Sequence, residues 1–428
     1  MNLADNAGQR SGRGRPDKAR APSDGARRPR RRRDLVAAMP IRQVGVTLCL
    51  AGLLLTAAAA APGGTGPAAF AAGHQTGWRI VPSPNGVRSG SNTLVQVSAG
   101  PATSAWAVGY DGQPGNFRTL AERWNGSKWA LARSPNPSVL DNALFGVATL
   151  SRTSAWAVGY DAPNVSPIAY HRALIERWNG STWQVVPTPR AGPSDSDLWG
   201  VAALSATNAW AVGNENTGTY PTFRFRPLVE HWDGHAWTLM PVPSPQLTGT
   251  GAGLGGVAAT SPRNIWAVGN YATGTRFQPL IEHFNGAHWA LVPAPVPGSA
   301  QLNRISLDTP RNGWAVGTRG TFPHTQALIE HWNGHHWAPV TSPVIPGSGL
   351  ADVLALTPHL AWAVGSYSPR GRVIRTLVER WNGHVWTLTS SPNRHPSSEL
   401  IGIAGTQHHL WAVGDSLTST TSTLILRR

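Results

Sequence analysis

The chain has 428 residues, with 36 Lys or Arg against 21 Asp or Glu, 20 Trp and a single Cys. That length exceeds what one ordinary hydrophobic core serves, and one cysteine excludes an internal disulfide framework. The net charge of +15 is uneven: residues 1 to 61 carry 12 basic and 4 acidic residues, and the remainder carries 24 and 17 without one dominant basic stripe. Attraction to anionic polymers is compatible with this balance, but sequence-specific nucleic-acid recognition does not follow from it.

Residues 1–38 form a basic segment that includes Arg27-Arg-Pro-Arg-Arg-Arg-Arg33 and lacks apolar periodicity, so disorder is expected there. Residues 39–61 read as an export signal. Met39-Pro-Ile-Arg42 supplies a short positive flank if translation starts at Met39, Val44 to Ala61 is uncharged and mostly apolar, and cleavage is expected near Ala60. The apolar run, residues 44–61, is also long enough for a single membrane anchor, with the upstream arginines as its cytoplasmic flank. Both readings put the rest of the chain outside the cytoplasm. Cys49 sits inside the apolar run, and Val46-Thr-Leu48 lacks the small residue expected before a lipoprotein cysteine. Residues 62–76 are a linker.

From 77 to 428 the chain repeats. Trp-Ala-Val-Gly occurs at Trp106, Trp156, Trp210, Trp266, Trp314, Trp362 and Trp411, spaced by 50, 54, 56, 48, 48 and 49 residues, the period of a four-stranded propeller blade. An aromatic-Asn/Asp-Gly-x-x-Trp hairpin follows the first six copies, beginning at Trp124, Trp178, Trp232, Phe284, Trp332 and Trp381. Short apolar runs bounded by Gly, Asn, Ser and Pro give four strands per repeat, A to D, and no segment has a helical period. Asn-Gly or Asp-Gly favours a tight C–D turn, and the glycine of Trp-Ala-Val-Gly is expected to end strand B, its missing side chain permitting a turn or close backbone passage.

The last repeat lacks a D strand, whereas Gly77-Trp-Arg-Ile-Val-Pro-Ser-Pro84 resembles one with no repeat before it. The fold expected is therefore all-β: a seven-bladed β-propeller in which strand 77–84 completes the C-terminal blade and removes the free edges. A solenoid would leave this reciprocal deficit unexplained.

The tryptophans are expected to be blade core. Glu122, Glu176, Glu230, Glu282, Glu330 and Glu379 recur on strand C at one place in the repeat, which suits a structural hydrogen bond or salt bridge better than catalysis by a particular carboxylate pair. The histidines of the C–D hairpins, such as His283, His288, His335 and His336, offer no closed ligand set, so no metal is assigned; no cofactor motif or Gly-x-Ser-x-Gly elbow is present either.

The B–C and D–A loops share one face and vary most between repeats, so ligand contacts are expected there. The candidates are Tyr110, Tyr160, Tyr220, Phe223, Arg224, Arg226, Tyr271, Arg276, Phe277, Phe322, Tyr367, Arg370 and Arg372, whose rings and guanidiniums suit sugar or peptide surfaces and anionic groups.

The seven Trp-Ala-Val-Gly phrases and six hairpins resemble the repeats of bacterial extracytoplasmic propellers of kelch-like or photosystem-assembly-factor-like type. The hairpins are also similar to the Asp-box of sialidase-like propellers, but Arg/His-aromatic-Asn/Asp replaces Ser-x-Asp, so sialidase activity does not carry over. The resemblance implies a propeller used for protein or carbohydrate contact. The expected function is an exported, noncatalytic recognition or scaffolding module, a monomeric propeller with an extracytoplasmic protein or glycan as partner. The competing expectations are a carbohydrate-active enzyme, a glycoside hydrolase or lyase with a central site, and a structural cell-envelope protein.

Overall fold

The computed structural model describes residues 77–428 except 88–89, 101–103, 164–169, 190–194, 219–222, 246–250, 322–323 and 370–372. The basic segment, the apolar segment and the linker, 1–38, 39–61 and 62–76, lie outside these residues, and no described helix is long and apolar enough to cross a membrane.

Seven antiparallel sheets of four strands form the blades of a β-propeller. Blade 4 is representative, with strands A Ala252–Ser261, B Asn264–Thr273, C Arg276–Phe284 and D Trp289–Leu291. Each strand A contacts strand A of the blades on either side, which closes the ring. Blade 7 combines A Ser397–Gly405, B Leu410–Leu417 and C Thr421–Arg427 with Arg79–Val81 as its D strand, in the register Arg79 to Arg427 and Val81 to Ile425. The two ends of the repeat region thus share one sheet, as the reciprocal deficit requires.

The C–D turns divide their work between two residues. Gly126 takes φ of 102°, while the Asn125 Oδ1 accepts hydrogen bonds from the Ser127 and Lys128 amides, each at 3.0 Å. The strand B glycine departs from expectation, since strand B runs on past it: blade 1 extends from Ala105 to Gln113 around Gly109. Its cause is a bulge in strand A, where pairing skips from Leu94 to Gln96 and brings the carbonyl of Thr93 against Gly109. A Cβ on Gly109 would stand 1.9 Å from that oxygen, and in all seven blades the corresponding distance is 1.8–2.1 Å. The repeated glycine therefore serves close backbone passage.

Between blades the core is aromatic. Trp106 packs on Trp178 and Trp183 of the next blade at 4.7 and 4.9 Å, and Trp156, Trp210, Trp266, Trp314 and Trp411 repeat this with the following hairpin. The seam between blades 6 and 7 differs: Trp362 meets Trp78 at 5.7 Å, and Arg428 covers its ring at 4.5 Å where the other seams place an aromatic side chain. The six strand C glutamates are all fully buried in these seams. Glu122, Glu176 and Glu379 accept hydrogen bonds from Ser83, Ser134 and Ser342 of the preceding blade. Among the described residues, both carboxyl oxygens of Glu230, Glu282 and Glu330 have no hydrogen-bond partner. Burial pushes all six carboxyls up, Glu122, Glu176, Glu230 and Glu282 to about 8, Glu330 and Glu379 to about 7.

Candidate binding face at the channel mouth

The inner strands leave one edge of N–H and C=O groups unpaired toward the ring axis, and three side chains answer them. Arg304 of strand A in blade 5 reaches across the axis: its Nη1 donates to the carbonyls of Gly255 and Asn303, and its Nη2 to those of Phe145 and Trp199, carbonyls from four blades. Asp352 in blade 6 accepts the amides of Val353 and Ile403, each at 2.8 Å, and Gln96 accepts that of Val97 at 2.8 Å. Burial raises the Asp352 carboxyl to about 6 against the opposing pull of Arg304. Gly146, Gly200, Gly256 and Gly402 occupy the same place in the other blades and leave room for this crossing.

On the loop side of Arg304 lies an aromatic cluster. Phe145 stacks on Trp199 at 4.3 Å and 8°, with Tyr160 at 5.5 Å and Tyr110 at 6.5 Å from Phe145. Trp199 Nε1 donates to Asn214 Oδ1 at 2.8 Å, so its indole is fixed.

Directly after the repeated glycine the seven copies diverge, to Tyr110, Tyr160, Asn214, Asn270, Thr318, Ser366 and Asp415. This layer lies toward the loop end of strand B and is polar although largely buried. In blade 7 Asp415 pairs in register with Glu399 of strand A, and Thr93 Oγ1 donates to Asp415 Oδ2 at 2.9 Å. Burial raises both carboxyls, and for Glu399 the neighbouring Asp415 adds to it. Burial, with Asp415 beside it, pushes the Tyr110 phenol up to about 12. In blade 2, His171 stacks on Tyr160 at 3.8 Å and bonds Asp197 Oδ1 through Nδ1 at 2.8 Å. Burial pulls this imidazole down, but Asp197, Asp195 and Asp141 outweigh it and raise the group overall.

Of the loop candidates, Tyr110 and Tyr160 belong to this layer. Arg226 pairs with Glu215 at 2.6 Å, Phe223 lies 6.4 Å from Phe225, and Arg224 is exposed beside them. Arg276 is exposed at the tip of the B–C hairpin, and Phe277 is half-buried with its amide on Ser299 Oγ. Tyr271 and Tyr367 instead pack against the seam cores of blades 4 and 6. Tyr220, Phe322, Arg370 and Arg372 lie outside the described residues. The structure thus does not bring the loop candidates into one cluster. It brings together Tyr110, Tyr160, Phe145, Trp199, His171, Glu399 and Asp415, of which sequence reasoning found only the two tyrosines. Three or more His, Cys, Asp or Glu side chains do not converge as a metal site among the described residues.

No protein-family model and no curated protein matches the chain. Solved propellers do. The chain is similar to YCF48 bound to D1 peptide, at 16% identity and a TM-score of 0.53, over 85% of this chain and 98% of that one. The YCF48 of Cyanidioschyzon merolae matches at 14% or less, namely 13% identity and a TM-score of 0.52, over 82% and 98%. A GH74 xyloglucanase from Xanthomonas campestris matches at 14% and 0.52, over 78% of this chain and about half, 53%, of the enzyme. A PL25 ulvan lyase bound to -[GlcA(1-4)Rha3S]- matches at 11% and 0.54, over 78% and 93%. At these identities the likeness shows a shared fold: the chain is a seven-bladed β-propeller of the architecture seen in the YCF48 structures.

Proposed function

We propose that the protein is an exported, noncatalytic recognition module that binds an extracytoplasmic protein or cell-envelope glycan at the channel mouth and its surrounding B–C and D–A loops. The observation that carries this reading is the layer after Trp-Ala-Val-Gly. One residue beyond a sevenfold repeat the chain changes to five different polar or aromatic residue types, although the layer is buried enough that a purely structural role would favour apolar repeats. The buried Phe145–Trp199 stack fixes this layer from within, and half-buried Tyr110, Glu399 and Asp415 present a ring and carboxyl acceptors above it. The fold neighbours include one propeller holding a peptide and one holding a uronic acid-containing saccharide, so the architecture accommodates either ligand.

The test is binding of the purified chain to a glycan and cell-envelope polymer panel, with released products analysed in the same samples. Saturable binding without products, weakened by Tyr110→Ala or Phe223→Ala with the melting temperature retained, is the expected result; binding indifferent to both substitutions contradicts it. A second reading, a carbohydrate-active enzyme, draws on the registered Glu399–Asp415 pair, since adjacent carboxyls with raised affinity for protons suit acid–base work. Product release abolished by Glu399→Gln would favour it.

A further inference from the structure

We propose that the opposite face, formed by the short A–B and C–D turns, is a docking surface for an acidic polysaccharide. Linear charge counting misses it because its cations are scattered over five blades. Antiparallel strands return them all to one side: Arg123, Lys128, Arg177, Arg263, Arg311 and Arg380 stand at the ends of strand C or in the turns. Arg263 lies along the C–D turn of its blade against Gly286, and Arg311 lies likewise against Gly334.

The negative charge on this face is sparse and engaged. Among the described residues its carboxylates are Asp233, which accepts the His235 and Ala236 amides at 2.8 and 2.9 Å, and Asp308, which holds the Asn312 amide. The ion pairs among the described residues, His171–Asp197, Arg172–Asp161 and Arg226–Glu215, all belong to the loop face.

Several guanidiniums are also fixed in advance. Arg123 stacks on Trp106 and Trp178 at 5.5 and 5.2 Å, and Arg177 on Trp156 and Trp232 at 5.1 and 5.8 Å. At the closing seam Arg380 and Arg428 share one ring, Trp362, at 5.5 and 4.5 Å, placing two like charges where a carboxylate could bridge them. A small anion would meet one such station. A polymer with regularly repeated carboxylates can meet several at once, which converts weak single contacts into avidity. The choice of a polysaccharide over a nucleic acid rests on the export reading.

The test is affinity of the full-length chain for polygalacturonate, neutral dextran and duplex DNA at low ionic strength. Two charge-matched variants separate a local surface from net charge: Lys128→Gln/Arg263→Gln/Arg311→Gln on the turn face and Arg133→Gln/Arg319→Gln/Arg375→Gln at the loop end of the blades, all at exposed side chains. The turn-face variant should bind polygalacturonate about tenfold more weakly or worse, the loop-face variant within about twofold of the parent, and dextran should not compete. Equal losses from both variants, no binding of polygalacturonate, or stronger binding of DNA than of polygalacturonate would overturn the proposal.

Discussion

In blades 1, 2 and 6 the buried strand C glutamate is followed by arginine, Arg123, Arg177 and Arg380; in blades 3, 4 and 5 it is followed by histidine, His231, His283 and His331. The two arcs differ on both sides of the strand. In the arginine arc each guanidinium covers the tryptophan of its own blade, and the glutamate finds a serine from the blade before. In the histidine arc each imidazole lies 4.1–4.3 Å from that tryptophan and bonds an asparagine of the A–B turn, Asn208, Asn264 or Asn312, while the glutamate has no hydrogen-bond partner among the described residues. Five residues after the D-strand tryptophan, where Ser83, Ser134 and Ser342 stand, the blades preceding Glu282 and Glu330 carry Val242 and Ala294, and the blade preceding Glu230 carries Thr188. One backbone therefore tolerates two seam chemistries, because a buried carboxyl can remain as the neutral acid when nothing supports its charge.

The largest effect should ignore the difference between arcs. Gly109→Ala in one and Gly213→Ala in the other each drive a Cβ to within 1.9 and 1.8 Å of a backbone oxygen, so both should lose more than about 4 kcal/mol in urea unfolding. Tolerance of either would show that the strand A bulge is rigid in only one arc.

An intermediate effect should expose the difference. Glu282→Leu removes a carboxyl with no partner and should be neutral or stabilising, whereas Glu122→Leu takes an acceptor from Ser83 and should leave a chain less stable than Glu282→Leu by about 1 kcal/mol. The same carboxyls set a pH dependence. Their folded-state values of about 7 to 8 lie above the ordinary 4.5, so the folded chain retains protons that the unfolded chain releases. Their contribution to stability is fully present below about pH 4.5 and is lost progressively up to about pH 8. Melting temperatures at pH 5, 7 and 9 should fall in that order, less steeply in Glu282→Leu; a rise across this window would contradict the neutral-acid assignment.

The smallest effect should erase the difference. His283→Arg with Asn264→Ser grafts one arc's chemistry into the other and should change stability by no more than about 0.5 kcal/mol. His283→Arg alone, which removes one of the two donors to Asn264 Oδ1, should cost more.

Blade count and ring closure were legible because both rest on strands B to D, where Trp-Ala-Val-Gly and the aromatic hairpins recur at nearly constant spacing. Strand A repeats least, and it builds the channel. Arg304 and Asp352 occupy the place held by glycine in four other blades, a contrast that emerges only once the bulges align Leu94, Leu302 and Leu350. Arg304 bonds Phe145 across 159 residues, a separation that no local pattern encodes. Trp199 was one tryptophan among many until its stacking on Phe145 set it apart from the seam indoles. The loop-face expectation weighted loop aromatics, whereas the structure gathers residues of strands A and B behind them, and the dispersed cations gave no linear sign that the turns return them to one face.

The closing sheet also has a mechanical consequence. Arg79 lies opposite Arg427, so the chain enters and leaves this pair of strands at the same end. Tension applied across the two flanks would load the joining hydrogen bonds one after another, as a zipper is drawn, while sliding the strands lengthwise would load them together. A pull on the termini would thus open the ring at one predetermined place, leaving the other six sheets intact at the moment it gives way.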